Sequence, residues 1–169
     1  MLSTVELKKL YSSEEFVNKY NYTKNDLGIT YSRENTKFKV WSPLAERIVL
    51  NLYKSGNYNE EDKICSYEME PSNNGTFEKT IYEDLNKVYY DYTAYVNGEV
   101  NQTNDPYAIA CGVNGKRSMV VDLKRTNPEN WGKDNGGEYY GEYPVIYELH
   151  IKDFSYDKAS GIKDEYRGK

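Results

Sequence analysis

Residues 88–98 read Val88-Tyr89-Tyr90-Asp91-Tyr92-Thr93-Ala94-Tyr95-Val96-Asn97-Gly98, and this stretch decides the fold class. Side chains suited to a pleated sheet alternate along it with almost no break, which predicts a β-strand. Asn97-Gly98 is the strongest short signal for a type I′ hairpin turn, so residues 99–103 should return as the neighbouring strand. The stretch is therefore interpreted as an antiparallel hairpin.

Shorter stretches with a similar pattern lie on both sides of this hairpin. They span residues 27–31, 37–41, 47–53, 64–69, 75–82 and 117–123. Turn signals separate them at intervals of roughly eight to twelve residues, which is typical of a two-sheet immunoglobulin-like β-sandwich. We therefore predict a mainly β protein whose sandwich covers residues 25–124.

Two of these strands allow more detailed predictions. Residues 37–41 and 47–53 are expected to form a hairpin across residues 42–46, because Pro43 stops the first strand. Alternation then assigns two faces to the second strand, with Ile48, Leu50 and Leu52 pointing inward and Val49, Asn51 and Tyr53 pointing outward.

The first 24 residues show a roughly helical spacing of apolar side chains instead. Between residues 4 and 20 we predict one or two short helices, with Ser12 and Glu15 forming a capping box. Residues 1–24 are therefore treated as a short helical segment that precedes the sandwich.

The chain changes character again after the sandwich. Residues 125–144 are rich in Asn, Gly and Pro and are interpreted as a linker. Residues 145–151 form an apolar-leaning run typical of a buried parallel strand, yet no partner strand follows. We expect residues 145–169 to be the first strand and loop of a truncated (β/α)₈ barrel, cut from a longer polypeptide.

Composition and charge exclude several classes of function. The net charge is −5 with basic and acidic residues intermixed, so no basic patch for nucleic acid is expected. The sequence lacks a signal-peptide pattern and a membrane-spanning run, which predicts a soluble, cytoplasmic protein without membrane contact. Cys65 and Cys111 lack metal-type spacing and are expected to be free thiols.

Several segments together resemble one family. In chain order they are Asp26-Leu27-Gly28, Phe38-Lys39-Val40-Trp41-Ser42-Pro43, Val49-Leu50-Asn51-Leu52-Tyr53, Tyr92-Thr93-Ala94-Tyr95-Val96, Asp105-Pro106-Tyr107-Ala108, Val113-Asn114-Gly115-Lys116-Arg117-Ser118, Val120-Val121-Asp122-Leu123 and residues 146–155. Their order is similar to that in type I pullulanases of the α-amylase superfamily, glycoside hydrolase family 13. In those enzymes a family-48 carbohydrate-binding-type sandwich precedes a catalytic barrel, whose first strand residues 146–151 resemble.

This resemblance implies the non-catalytic front end of a starch- or glycogen-debranching hydrolase that cleaves α-1,6-glucosidic bonds. The catalytic Asp and Glu, with two histidines, belong to later barrel strands. Here His150 is the single histidine of the sequence, so we expect no catalytic residue, no metal site and no cofactor. His150 is expected to be structural, and Glu148 and Asp153 are rejected as a catalytic pair because residues five apart on a strand point to opposite faces.

Binding of α-glucan would require exposed aromatic faces, because sugar C–H surfaces stack on them. The candidates are Trp41, Trp131, Tyr89 and Tyr95. Two roles are open for Trp41. It is expected to pack against the helical segment or the missing barrel, or else to serve as a sugar platform. Trp131 is either an interdomain plug or a platform, and Tyr89 and Tyr95 belong to the outward face of their strand.

Three functions stay open at this point. The first is support of a catalytic barrel in the parent chain, with possible α-glucan binding. The second is a stand-alone glucan-binding module. The third is an immunoglobulin-like interaction domain whose protein partner covers residues 145–151, because exposed apolar strands associate.

Overall fold

The computed structural model of the chain describes residues 3–59, 61–134, 136, 143 and 145–168. The chain divides into two compact units, Met1–Pro128 and Glu129–Lys169, which are described separately. Among the described residues, no helix has the length and apolar character needed to cross a membrane.

The first unit contains two antiparallel sheets that face each other as a sandwich. Its strands are β1 (Gly28–Tyr31), β2 (Thr36–Trp41), β3 (Arg47–Tyr53), β4 (Lys63–Glu68), β5 (Glu70–Pro71), β6 (Thr76–Ile81), β7 (Tyr89–Val96), β8 (Glu99–Thr103) and β9 (Ser118–Met119). One sheet has the order β1-β2-β6-β5. The other has the order β4-β3-β7-β8, and β9 also pairs with β7. The predicted β-sandwich is confirmed.

The hairpin predicted from Asn97-Gly98 is present. Strands β7 and β8 pair up to Val96 opposite Glu99, so the turn between them consists of Asn97 and Gly98. Asn97 and Gly98 have φ angles of 51° and 76°, the left-handed values that a type I′ turn requires. This local prediction succeeds because the turn chemistry is contained in two adjacent residues.

The hairpin predicted between β2 and β3 is wrong, because the two strands belong to different sheets. Strand β2 pairs with β1 and β6, whereas β3 pairs with β4 and β7. The connection is tied to a different sheet at each end: the Ser42 amide donates to the Gly75 carbonyl, and the Glu46 amide donates to the Tyr95 carbonyl. Residues 42–46 therefore cross from one sheet to the other.

The core lies between the two inner faces. Its buried apolar side chains are Phe38, Val40, Ile48, Leu50, Leu52, Met69, Phe77, Ile81, Leu85, Tyr90, Tyr92 and Val120. Tyr90 packs edge-on against Phe38, with ring centroids 5.0 Å apart, and its hydroxyl donates to a carboxylate oxygen of Asp105 at 2.8 Å. Burial raises the pKa of Asp105 despite hydrogen bonds from the Tyr107 amide and from Tyr90. The core thus contains the buried carboxyl group of Asp105, which accepts hydrogen bonds from Tyr90 and from the Tyr107 amide.

Two short helices precede the sandwich, as expected for this segment. They are α1 (Thr4–Tyr11) and α2 (Glu14–Tyr20). The predicted capping box is misplaced: Ser3 and Glu6 form it at the start of α1, and Ser13 caps α2. Ser12 instead ends α1, because its hydroxyl donates back to the Lys8 carbonyl.

The strand predicted over residues 117–123 is shorter than expected. Only Ser118 and Met119 form ladder pairs, with Tyr90 and Tyr89 of β7. A 3₁₀ turn, Leu123–Arg125, follows and is capped by the Asp122 side chain. Val120 still exchanges backbone hydrogen bonds with Val88 and Lys87. From Asp122 the chain turns, because its carboxylate accepts from the Lys124 amide.

The second unit contains α3 (Ile151–Tyr156) and three 3₁₀ turns in its described residues. These turns are Trp131–Lys133, Lys158–Ser160 and Asp164–Tyr166. The strand predicted over residues 145–151 does not form in this structure: residues 145–150 have no regular secondary structure, and Ile151 begins the helix. A buried-type strand needs neighbouring strands for its backbone hydrogen bonds. The assignment of residues 145–169 to a barrel stays a prediction, and part of the predicted linker, residues 135, 137–142 and 144, lies outside the described residues.

Candidate functional site

The outer face of the β4-β3-β7-β8 sheet carries buried polar side chains. Asn51 and Tyr53 on β3 were expected to point outward, and they do so, yet they are only 2% and 3% exposed. Asp91, their neighbour on β7, is fully buried. Polar groups removed from water require hydrogen-bond partners, so other parts of the chain must supply them on this face.

The Asp91 carboxylate is the centre of this polar cluster. It accepts hydrogen bonds from the Asn51 amide at 2.8 Å, the Tyr53 hydroxyl at 3.2 Å and the Gln102 amide at 2.7 Å. Burial, together with the Asp91 charge, raises the pKa of Tyr53, so its hydroxyl remains a donor. Gln102 comes from the edge strand β8, and the cluster therefore joins β3, β7 and β8.

A loop lies beside this cluster, and we call it the covering loop (residues 54–59 and 61–62). Arg117 joins it to the sheet, because its guanidinium donates to the Ser55 carbonyl at 2.9 Å and to the Asp62 carboxylate at 2.7 Å. The same guanidinium lies 3.6 Å from the ring centroid of Tyr53. Burial opposes ionisation of Asp62, but the hydrogen bonds from Arg117 and Ser55 outweigh it and lower the pKa of Asp62.

The covering loop crosses residues 111–118 with two backbones in direct contact. A Cβ atom at Gly112 would lie 2.4 Å from Gly56 Cα, and one at Gly56 would lie 2.6 Å from both Gly112 Cα and Tyr89 Cε1. The Val113 amide donates to the Gly56 carbonyl at 3.0 Å across the crossing. Only glycine permits this approach, which covers the ring of Tyr89.

A cleft opens at the end of the sheet where these segments meet, and we call it the polar cleft. Its lining residues are Tyr58, Gln102, Thr103, Asn104, Asn114, Gly115 and Lys116, and its volume is about 300 Å³. The Tyr58 side chain is 46% exposed, and its hydroxyl lies 3.3 Å from the amide oxygen of Gln102. One aromatic ring surrounded by amides, a hydroxyl and an ammonium suits a ligand with apolar C–H faces and many hydroxyl groups.

A second cavity, which we call the aromatic groove, lies beside α2 on the other sheet. Its volume is about 290 Å³, and its lining residues are Tyr11, Phe16, Val17, Tyr20, Asn21, Tyr22, Leu27, Trp41 and Tyr107. Tyr22, one of these lining residues, has the ammonium group of Lys39 over its ring, and Lys39 is paired with Asp26 at 2.9 Å. The lining of this groove is mainly apolar, in contrast to that of the polar cleft.

The structure places the three aromatic candidates of the first unit, Trp41, Tyr89 and Tyr95, outside the polar cleft. Trp41 packs beside α2 and donates its indole N–H to the carbonyls of Tyr20 and Asn74, both at 3.0 Å. Tyr89 lies beneath the loop crossing. The guanidinium of Arg47 covers one face of Tyr95, 4.3 Å from the ring centroid.

Trp131, the fourth candidate, belongs to the second unit. It begins a 3₁₀ turn, and its side chain is 56% exposed. Sugar binding by Trp41, Trp131, Tyr89 or Tyr95 stays a prediction, and these residues do not form a common site within the first unit.

The residues that line the polar cleft are not among the sugar-binding candidates predicted from the sequence. Tyr58 stands in a loop, Asn57-Tyr58-Asn59, whose position next to Asn114 depends on the loop crossing. A signal was present, since several loops at one end of the predicted sheet carry Asn residues, including Asn57, Asn104 and Asn114. Amide-rich loops that follow sheet strands are typical of ligand-binding edges.

His150 lies in the second unit, where its ring nitrogen is 2.7 Å from the Asp153 carboxylate within the first turn of α3. Both side chains are largely exposed. Within the part of the chain that the structure describes, no group of three or more His, Cys, Asp and Glu side chains has the arrangement of a metal site.

Comparison with known proteins identifies one family and several relatives that are similar to this chain. Residues 26–108 match the family described as carbohydrate-binding module 48, the isoamylase N-terminal domain. The chain is 31% identical over 144 residues to the pullulanase of Bacillus subtilis, covering 83% of this chain and 18% of that protein. It is 27% identical to chloroplastic pullulanase 1 of Arabidopsis thaliana, covering 84% of this chain and 15% of that one.

Solved structures of pullulanases are also similar to this chain. The pullulanase of Paenibacillus barengoltzii, in complex with maltohexaose and α-cyclodextrin, superimposes with a TM-score of 0.77 and 34% identity over 94% of this chain. The pullulanase of Bacillus acidopullulyticus has a TM-score of 0.72 and 39% identity over 91% of this chain. The chain spans 24% and 18% of those two structures, respectively.

Residues 26–108, which hold every strand of the sandwich except β9, are therefore similar to carbohydrate-binding module 48. More specifically, these relatives and structures support an N-terminal region of a pullulanase, and they confirm the resemblance found in the sequence.

Proposed function

We propose that this chain is the non-catalytic N-terminal region of a debranching hydrolase that cleaves α-1,6-glucosidic bonds, and that its sandwich binds α-glucan in the polar cleft. The single observation that carries the binding proposal is the composition of the cleft. The Tyr58 ring supplies a stacking face, and the side chains of Gln102, Asn104 and Asn114 supply donors and acceptors for sugar hydroxyls.

The partner class is supported by relatives as well as by geometry. A pullulanase structure that superimposes on 94% of this chain holds maltohexaose and α-cyclodextrin. These ligands are α-linked glucose oligomers, with the hydroxyl-rich edges and C–H faces that the polar cleft suits. Linear α-glucan segments are therefore the ligands that we propose for this chain.

Binding is tested by titrating the 169-residue chain with maltoheptaose in a calorimeter and by electrophoresis through gels that contain amylopectin. We expect the unmodified chain to be retarded, and Tyr58→Ala to weaken maltoheptaose binding by about tenfold or more, because one lost stacking face is worth over 1 kcal/mol. Tyr82→Ala is the matched control, since Tyr82 is 80% exposed and does not line the polar cleft. Equal losses in both variants, or no retardation of the unmodified chain, would contradict the proposal.

The second part of the proposal concerns the missing catalytic barrel as partner of the second unit. Val145, Ile146 and Tyr147 are 97%, 86% and 79% exposed. Apolar side chains in a continuous exposed run are normally covered by another protein surface. We propose that barrel strands encoded after Lys169 cover this run, and sequencing that region of the gene tests it: the reading frame should continue into a barrel, and a stop codon directly after Lys169 would contradict this part.

A further inference from the structure

Arg117 and Asp62 form an ion pair next to the polar cleft without lining it. Their side chains are only 4% and 12% exposed, and their charged groups are 2.7 Å apart. Neutralising one member of a buried ion pair removes a strong contact between charged groups, so the pair holds its surroundings in one arrangement. The surroundings are the covering loop, which carries Tyr58.

Three contacts connect the pair to that loop. The Arg117 guanidinium donates to the Ser55 carbonyl, and the Asp62 carboxylate accepts from the Ser55 amide, so both polar backbone groups of Ser55 are engaged. The guanidinium also lies over two rings, 3.6 Å from the centroid of Tyr53 and 5.9 Å from that of Tyr58. Tyr53 is fixed to the sheet by Asp91, so the guanidinium joins the Tyr58 ring to a rigid base.

The other side of Tyr58 is held more weakly. Its hydroxyl contacts Gln102 at 3.3 Å, which is a long hydrogen bond between exposed groups. Without the ion pair, the ring could leave the wall of the cleft by rotation of the loop. A stacking platform contributes to affinity chiefly when it is already in place before the sugar arrives, because its ordering then costs nothing on binding.

From this geometry we propose that Arg117, held by Asp62, is a positioning residue for α-glucan binding that fixes the Tyr58 ring in the wall of the polar cleft. The inference rests on the proposed function and adds a determinant of affinity that does not touch the ligand. It predicts that a neutral residue at position 62 weakens sugar binding only through Tyr58.

The test is a double-mutant cycle with maltoheptaose as the probe. Asp62→Asn should weaken binding by about tenfold in the unmodified chain but by less than about twofold when Tyr58 is already Ala, because coupled residues are not additive. Asp84→Asn is the matched control, since Asp84 also pairs with an arginine, Arg125, and accepts from a backbone amide, far from the cleft in sequence. It should leave affinity unchanged.

Hydrogen exchange supplies a second readout that needs no sugar. The Ser55 amide, which donates to Asp62, should exchange faster in Asp62→Asn, while the paired amides of β3 keep their protection. If Asp62→Asn does not fold, Arg117→Lys replaces it, because a lysine cannot donate to two acceptors and cover a ring in the same way.

The outcomes separate the two proposals. Weak binding in Tyr58→Ala with unchanged binding in Asp62→Asn overturns the positioning role and leaves the proposed function intact. Equal losses from Asp62→Asn with and without Tyr58 also overturn it, because the pair would then act independently of the ring. Absence of maltoheptaose binding by the unmodified chain overturns the proposed function and the positioning role together.

Discussion

The guanidinium of Arg117 lies over the ring of Tyr53, 3.6 Å from its centroid, at the point where three separate segments meet. Tyr53 ends β3, Asp62 belongs to the covering loop, and Arg117 directly precedes β9. An arginine suits this position because its planar group stacks on a ring while its edge donates to a carboxylate and a carbonyl.

The first prediction concerns stability and pH at this ion pair. We expect Asp62→Asn to lower the free energy of unfolding by about 2 kcal/mol near neutral pH, because the buried guanidinium of Arg117 loses the charged acceptor that lies 2.7 Å away. The pKa of Asp62 is lowered from its ordinary 3.8, so the ionised carboxylate stabilises the fold at every pH above that value. This stabilisation is lost as the pH falls through the folded-state pKa, so the difference between the two proteins should shrink below about pH 3.8. Urea unfolding at several pH values measures it, and a difference that grows in acid would contradict it.

The second prediction concerns the buried carboxyl group of the core. Tyr90→Phe removes a hydrogen bond to Asp105, and we expect a loss of about 1.5–3 kcal/mol, the range for bonds to charged groups. Burial raises the folded-state pKa of Asp105, so its ionisation destabilises the fold as the pH rises from 3.8 through that pKa. The hydrogen bond from Tyr90 lowers the pKa of Asp105, so this fall with pH should be larger in Tyr90→Phe than in the unmodified chain.

Denaturant unfolding between pH 4 and 7 measures this effect. Tyr31→Phe is the control, because its hydroxyl also donates to a carboxylate, that of Asp84, but at the surface. Its cost should be smaller and should not increase with pH through the same range. Identical pH profiles for Tyr90→Phe and the unmodified chain would show that Tyr90 does not stabilise the ionised carboxylate.

Most strands could be predicted from the sequence, whereas their pairing could not. The alternation in residues 47–53 and 88–96 is local and survives in β3 and β7. The choice of partner is not local: Thr36 pairs with Ile81 and Trp41 with Thr76, across a separation that alternation does not encode. The hairpin predicted over residues 42–46 failed for this reason, since Pro43 marks the end of a strand but not the sheet that the chain enters next.

The polar cleft could not be predicted for the same reason: it depends on contacts between side chains that are distant in the sequence. Alternation correctly placed Asn51 and Tyr53 on the outer face, but it could not show that Arg117 and Gln102 arrive from distant segments and bury them. The sequence favours Trp41 and Trp131 as sugar platforms, because sugar C–H surfaces stack on aromatic faces. Tyr58 was missed because its position depends on two glycines in separate loops.

The third prediction tests that loop crossing. Gly112→Ala should place a Cβ atom 2.4 Å from Gly56 Cα, so the two backbones must separate at a cost of about 1–3 kcal/mol. Separation should also expose the Val113 amide, which donates to the Gly56 carbonyl, to faster hydrogen exchange. Gly132→Ala is the control, because a Cβ atom there meets nothing within 4 Å and the backbone needs no left-handed φ. Equal stability of the two variants would contradict the tight crossing.

The last prediction concerns Trp41, the residue for which packing and sugar contact were both open in the sequence. Its indole N–H is shared between the Tyr20 and Asn74 carbonyls, and the Asn74 side-chain amide donates to the Lys19 carbonyl, so the end of α2 is capped by the sandwich. Trp41→Phe keeps an aromatic ring but removes this donor, and we expect a loss of about 1–3 kcal/mol together with faster exchange of the α2 amides.

Retardation in amylopectin gels should stay unchanged in Trp41→Phe, because the indole lines the aromatic groove and not the polar cleft. Trp131→Phe is the matched control for stability, since Trp131 is 56% exposed and belongs to the second unit. If Trp41→Phe abolishes retardation while Tyr58→Ala preserves it, the α-glucan site lies at the aromatic groove beside α2 instead of the polar cleft. The helix end would then bear directly on sugar binding, because the same indole group would both cap α2 and face the ligand.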